Sequence, residues 1–448
     1  MPALSTITSA LAAWATLTTA APSSVTGSPR YSMYFDQYHT DVLPNKTMTA
    51  GITHVITAFA NSSLFTTNPV GEYTPFKPLS EIRAMFDHDV TISMAVGGWG
   101  DLAGFRVGVA SEESRALYAS NIAATLNRLG YDGVDIDWEY PGGNGFDYKQ
   151  IANNATEAEV FPLFLTAIKS AIGDKELSIA VPGLERDMLA YTAEKVPLIN
   201  SAVDVVNVMT YDLMNRRDTT TKHHTDIKGS LNAIDLFIER GMKPAKMNLG
   251  IAFYAKYFTL AANTTCTQPI GCPIALAEAA DGSDTGASGA DTFEASSFPV
   301  VVDVAKLTVS TDGSCGSSND FKCTGSAYGS CCSQYGWCGN TTAHCSTGCQ
   351  NDFGTCTNPA VKSTAQSFQD ALTNGQLDSA NGGQWYVDDV ANLFWTWDTP
   401  ELITRKFREI IAARGLGGIM AWSLAEDSVD WRLLEAMQEG FEGLKSKK

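Results

Sequence analysis

The chain has 448 residues, 44% of them hydrophobic, and a formal net charge of −18. That length supports a large core, or a barrel with an added module. So acidic a surface argues against nucleic acid and anionic membranes as partners and suits a neutral ligand such as a polysaccharide.

Residues 1–21 read as a secretory signal. An Ala- and Leu-rich run from Ile7 to Leu17 leads to small residues at Thr18–Ala21. The run lacks a preceding Lys or Arg, and an N-terminal helix is the competing reading. No later apolar run is long enough to span a bilayer. The charged tail Lys445–Lys448 argues against a lipid anchor. Asn45, Asn61, Asn154, Asn263 and Asn340 each begin an Asn-x-Ser/Thr acceptor. All ten cysteines lie after residue 265. A secreted, extracellular protein is expected.

Strands are expected at Tyr31–Tyr38, Ile52–Ala60 and Val90–Val96, the last ending in Gly97-Gly98-Trp99-Gly100. A helix at Glu112–Leu129 carries Leu117, Ile122, Leu126 and Leu129 on one face. A fourth strand covers 131–141. A helix at Val160–Ile172 precedes a fifth strand, Leu177–Pro182, and Val203–Asp212 is the sixth. A helix at Leu231–Arg240 precedes the seventh, Met247–Ala255. After about 130 residues a barrel-like segment returns near Trp385. A helix at Pro400–Arg414 leads to the eighth strand, Gly418–Leu424, and a last helix covers Asp430–Gly443. Eight strands alternating with helices point to an α/β fold, a parallel (β/α)₈ barrel. Its site should lie at the C-terminal ends of the strands.

The fourth strand is unusual. Asp135, Asp137 and Glu139 alternate with Val134, Ile136, Trp138 and Tyr140, so three carboxyl groups share one face. Like charges so close cannot all ionise, and at least one pKa must rise. A solvated acidic strand or a cation site is the bland reading. The sharper one is a ladder that keeps Glu139 protonated as a general acid.

With Asp132, these acids fill the pattern D-x-x-D-x-D-x-E, and the stretch resembles the signature of the family 18 glycoside hydrolases, the chitinases. The resemblance implies substrate-assisted hydrolysis, in which the sugar's own acetamido oxygen is the nucleophile. Glu139 would be the general acid and base. Asp137 would hold the acetamido N–H, and Asp135 would tune Asp137. Met209-Thr210-Tyr211-Asp212 resembles the family's Met-x-Tyr-Asp, which gives Tyr211 the acetamido oxygen and places Met209 and Asp212 along the site. Trp422 matches the tryptophan beneath the reacting sugar. Trp99, on the leaving-group side, and Tyr140 join the substrate-binding set. One departure stands out: the family's Ser-x-Gly-Gly reads Ala95-Val96-Gly97-Gly98, which removes a hydroxyl expected to serve Asp132 or Asp135. His223 and His224 read as loop residues without metal-site spacing. No metal or cofactor is expected.

Cys315, Cys323, Cys331, Cys332, Cys338, Cys345, Cys349 and Cys356 fall within 315–356. So short and cysteine-rich a segment must be stapled, since it cannot bury an adequate core. Eight cysteines allow 105 pairings, and zinc is the alternative use. The run Cys331-Cys332-Ser333-Gln334-Tyr335-Gly336-Trp337-Cys338-Gly339 resembles hevein-type chitin-binding modules. That resemblance implies Cys315–Cys332, Cys323–Cys338, Cys331–Cys345 and Cys349–Cys356, and a sugar face of Ser333, Tyr335 and Trp337. His344 stands where a third aromatic is usual. Cys266 and Cys272 could pair locally.

The expectation is a secreted chitinase of the fungal sort, monomeric, acting on chitin and N-acetylglucosamine oligomers. Its parts would be a signal at 1–21, a barrel from 22–314 and 357–448 with an insertion region at 256–384, and the module at 315–356. Intact Glu139 and Asp137 argue against an inactive chitin-binding lectin or effector. The module argues against an enzyme acting on N-glycans. An insert after the seventh strand should project from the active-site face.

Overall fold

A computed structural model describes residues 29–445, apart from 263–265, 267, 299–302, 304, 317–318, 334, 347–348 and 357–361. The signal segment and Asn263 lie outside the described residues.

Eight parallel strands close into a barrel: β1 (Arg30–Asp36), β2 (His54–Ala60), β3 (Thr91–Gly97), β4 (Gly133–Asp137), β5 (Glu176–Pro182), β6 (Val205–Met209), β7 (Met247–Ala252) and β8 (Gly418–Trp422). Each pairs with its neighbour in sequence, and β8 closes on β1 with Met33 opposite Ala421. Alternation divides each strand's side chains. Val134 and Ile136 face outward into the main core, with Ile122, Leu126, Phe161, Phe164 and Leu165 of the surrounding helices. The helix Glu112–Leu129 starts at Ser111, whose hydroxyl accepts the Ser114 N–H, and stops at Gly130 with φ +84°. The expected helix at 400–414 runs as Pro400–Lys406 and then turns π-helical over Phe407–Ala412.

The barrel interior is partly polar. Arg30 Nε donates to Asn248 Oδ1 (3.0 Å), Asn248 Nδ2 to Asn207 Oδ1 (2.9 Å), and Asn207 Nδ2 to Asp135 Oδ1 (3.2 Å). Each buried group on this path has a partner, as burial demands, and the path leads to the acidic strand.

Trp385 is not on a barrel strand. It belongs to a second, antiparallel sheet formed by Tyr254–Thr259, Ser288–Thr292, Gln376–Asp378, Gly383–Asp388 and Leu393–Trp397. The insertion therefore runs to Trp397, beyond the expected 384. Aromatic burial explains the error: Trp395 packs on Tyr257 (4.9 Å between centroids) and Phe368 (5.0 Å), so its strand is as apolar as a barrel strand. Within the same insertion, disulfides join Cys315–Cys332, Cys323–Cys338, Cys331–Cys345 and Cys349–Cys356, around little besides Leu307 and Phe353. Cys266–Cys272 forms a fifth.

Candidate active site

A cleft of about 720 Å³ opens at the C-terminal end of the barrel. Asp137, Glu139, Tyr140, Met209, Tyr211, Asp212, Trp99 and Trp422 all line it. Strand β4 ends at Asp137, earlier than the pattern suggests, so Glu139 rides on the loop just beyond. Tyr140 accordingly leaves the outward face expected of it and joins the apolar cluster that lines the cleft, edge-on to Trp99. Gly97 and Gly98 at the end of β3 make room for this turn. Both have positive φ, Gly98 N–H donates to Asp137 O (2.9 Å), and a Cβ on Gly97 would strike that same oxygen.

Asp135 is fully buried and accepts from Tyr34 Oη (2.8 Å), Ser178 Oγ (2.6 Å) and Asn207. These donors make good the hydroxyl missing at Ala95, which stands opposite Asp135 in the sheet. Burial still outweighs them and pushes Asp135 up to about 6. Asp132 lies at the other end of the strand, paired with Arg83 (2.8 Å), and takes no part in the site. Asp137 is held well above the usual carboxylate range, first by burial, then by Glu139 and Asp135. Its Oδ1 is buried with no hydrogen-bond partner among the described residues. Glu139 is pushed up to about 8, chiefly by burial and further by Asp212 and Asp187.

Asp212 moves the other way. Against the burial that would raise it, Lys256 (3.0 Å), His224 and Tyr254 Oη (2.8 Å) hold it below the usual range. The site thus pairs a carboxyl that keeps its proton with one that has lost it. Tyr211 Oη donates to Met420 Sδ at 3.9 Å, a weak acceptor that a ligand oxygen can replace. Trp422 lies flat against Phe59 (5.5 Å, 18° between planes). Trp99 is 49% exposed at the rim, edge-on to Tyr140 and Phe146.

Several of these residues escaped the sequence reading. Tyr34, Ser178 and Asn207 sit on three other strands, and nothing local marks them. Lys256 and Tyr254 follow β7 directly and could have been suspected from a lysine at a strand end. His223 and His224 are loop residues, but buried ones. His223 meets Asp378 (3.1 Å), and His224 lies beneath Asp212 and Tyr254. Asp36, His39 and Glu426 come close enough to share a metal ion. His39 is itself the cation there, 2.9 Å from Asp36, and that hydrogen bond is the main reason its pKa is pushed up to about 9.

On the module, Tyr335 and Trp337 are exposed by 74% and 56%. Ser333 is buried and its Oγ accepts the Trp337 N–H (3.2 Å), so it shapes this face from beneath. His344 is half-buried, its ring against Gly339 and its Nδ1 2.7 Å from Thr341 Oγ1. Asn45, Asn61, Asn154 and Asn340 are exposed, and Asn61 borders the cleft.

A closed parallel barrel with its buried acids at the C-terminal end of β4 places them where enzymes of this fold carry their active sites, and the class is that of the barrel hydrolases. The chain belongs to the glycosyl hydrolases family 18, whose description it matches over residues 30–427. It is 28% identical over 229 residues to sporulation-specific chitinase 2 of Saccharomyces cerevisiae, covering 46% of this chain and 43% of that protein. It is 26% identical over 273 residues to mouse chitotriosidase-1, 54% of this chain and 56% of that one. The aligned part thus spans about half the length of these curated relatives. A family 18 chitinase mutant from Cycas revoluta, solved in complex with (GlcNAc)4, shares the fold with a TM-score of 0.58 at 17% identity, over 92% of this chain and 99% of that one. Among the described residues no helix is long and apolar enough to cross a membrane.

Proposed function

We propose that this protein is a secreted chitinase that cleaves β-1,4 linkages between N-acetylglucosamine units with retention, through substrate assistance. One observation carries the reading: Asp137, Glu139, Tyr211 and Trp422 converge on one cleft, with Glu139 pushed up to about 8. A sugar stacks on Trp422. Glu139 gives its proton to the leaving oxygen as the acetamido oxygen closes on the anomeric carbon to form an oxazolinium ion. Asp137 Oδ1, buried and without a hydrogen-bond partner among the described residues, accepts the acetamido N–H, and the Tyr211 hydroxyl steadies the acetamido oxygen. Glu139 then takes a proton from the water that opens the ring, restoring itself for the next turnover. The nucleophile is already part of the substrate, which supplies a large effective molarity.

The disulfide-stapled segment serves as a chitin-binding module, with Tyr335 and Trp337 stacking on sugar faces. Its place beside the cleft is supported by Tyr257. That phenol is held above its ordinary pKa by burial, then by Asp291, Asp284 and the module's Tyr335. Its hydroxyl lies where a Cβ on Gly289, a cleft residue, would fall.

Hydrolysis of N-acetylglucosamine oligomers, compared with their de-N-acetylated counterparts, tests the reading. Only the acetylated chains should be cut at an appreciable rate. Equal rates on both would overturn substrate assistance.

A further inference from the structure

Of the Asn-x-Ser/Thr sites among the described residues, only Asn61 borders the cleft. It follows β2 directly, and Ser62 and Ser63 complete its acceptor pattern. Both Asn61 and Ser63 are exposed. Asn61 Oδ1 accepts the Ser63 N–H (3.0 Å), and its carbonyl accepts the Leu64 N–H (3.2 Å). This turn uses the amide oxygen and leaves Nδ2 without a hydrogen-bond partner among the described residues. That nitrogen is the atom an N-linked glycan joins.

The turn is fixed on its other side. Ser62 N–H and Oγ donate to the two carboxylate oxygens of Asp101 (2.6 and 2.5 Å). The Gly104 N–H donates to Ser62 Oγ (3.1 Å), and a Cβ on Gly104 would strike the Ser62 backbone, so the helix Ala103–Val109 sits directly on the turn. Phe65 is fully buried, and Asn121 Nδ2 holds its carbonyl (2.9 Å). Asp101 lies two residues beyond Trp99, so the turn is bound to the segment that carries Trp99, and both border the same cleft. A group attached at Asn61 therefore keeps its place at the rim and cannot swing away with a loose loop. An N-linked glycan is bulky and hydrated, and here it would stand at the mouth of the site.

We propose that Asn61 carries an N-linked glycan that screens this rim, so that the cleft admits a separated chain more readily than one still packed in a solid. In the transfer, Asn61 Nδ2 bonds the anomeric carbon of an N-acetylglucosamine whose bond to a lipid-linked pyrophosphate breaks. The pyrophosphate lipid leaves, and Nδ2 loses one proton. The inference rests on the secreted-chitinase reading above and adds a modification and its effect on the form of substrate taken.

The test is to secrete the full chain from a eukaryotic host, release its glycans with a peptide N-glycosidase in heavy-oxygen water, and map the peptides by mass. Position 61 should be recovered as aspartate carrying one heavy oxygen. Ser63→Ala removes the acceptor hydroxyl and keeps Asn61 in its turn. Thr47→Ala does the same for Asn45, which lies outside the cleft lining. Ser63→Ala should raise the rate on insoluble chitin, relative to that on a short soluble oligomer, by roughly twofold or more, since about half a kilocalorie per mole changes binding by that factor. Enzymatic deglycosylation of the wild-type protein should give the same rise, and Thr47→Ala should give none. A merely structural effect of the substitution would move both rates together. An unmodified Asn61 in the secreted protein, or an unchanged ratio once its glycan is gone, would overturn the inference. Retention inside the cell would overturn the secretory reading, and this inference with it. Inactivity on every oligomer would overturn the chitinase reading and the screening role, while the peptide map decides the modification by itself.

Discussion

Glu139 can donate a proton only while it holds one. With its carboxyl pushed up to about 8, the acid form prevails below that pH, so kcat/KM should fall as pH rises past about 8. Glu139→Gln removes the donor and should lower kcat by about 10²–10⁴-fold or more with oligomer binding largely kept, as separate turnover and calorimetric binding assays would show. Asp135 makes the complementary case for stability. Its folded pKa is about 6 against an ordinary 3.8. The stability it contributes is therefore complete below pH 3.8 and is lost as pH climbs through about 6, a swing of about 3 kcal/mol. Asp135→Asn should flatten that decline, read from urea midpoints across the interval. The three acids could be found in the sequence because their alternation has no other economical use. The environments that raise two of them and lower Asp212 could not, because Lys256, His224 and Tyr254 reach Asp212 only through folding.

At the scale of elements, β1, β5 and β6 each lend one donor to Asp135. Removing the Tyr34 hydroxyl as Phe, or the Ser178 hydroxyl as Ala, should raise the Asp135 pKa further. A hydrogen bond to a charged group is worth about 1.5–3 kcal/mol, or about one to two pH units. The acidic limb of the activity profile should move up accordingly, and an unmoved limb would separate Asp135 from the chemistry. The eight strands and main helices were legible because each carries a clear apolar period, and the helix Glu112–Leu129 also has caps at both ends. The signature continues the same alternation past Asp137, so the pattern implies a longer β4 than the one that forms, because the backbone leaves the sheet there. The strand around Trp385 looks barrel-like in sequence because an aromatic-rich strand has the same pattern in either sheet.

At the scale of the molecule, the insertion does two things. Its sheet, from Tyr254 to Trp397, raises one wall of the cleft. Its stapled segment presents Tyr335 and Trp337 to solvent. A second binding surface, the role proposed for this segment, raises the effective concentration of a polymer at the first. Deleting 315–356 should therefore slow action on insoluble chitin by roughly 10²-fold, the low end of what linked sites give, and leave short soluble oligomers nearly unaffected. Equal losses on both would mean that the segment shapes the cleft itself.

The central claim is that the substrate's own acetamido group attacks, with Glu139 as acid and then base. Proton NMR of the first-formed product from a soluble N-acetylglucosamine oligomer, recorded before mutarotation, tests it most directly. Two displacements at the same carbon predict the β-anomer. An initial α-anomer would mean that water attacks directly, and would contradict the account.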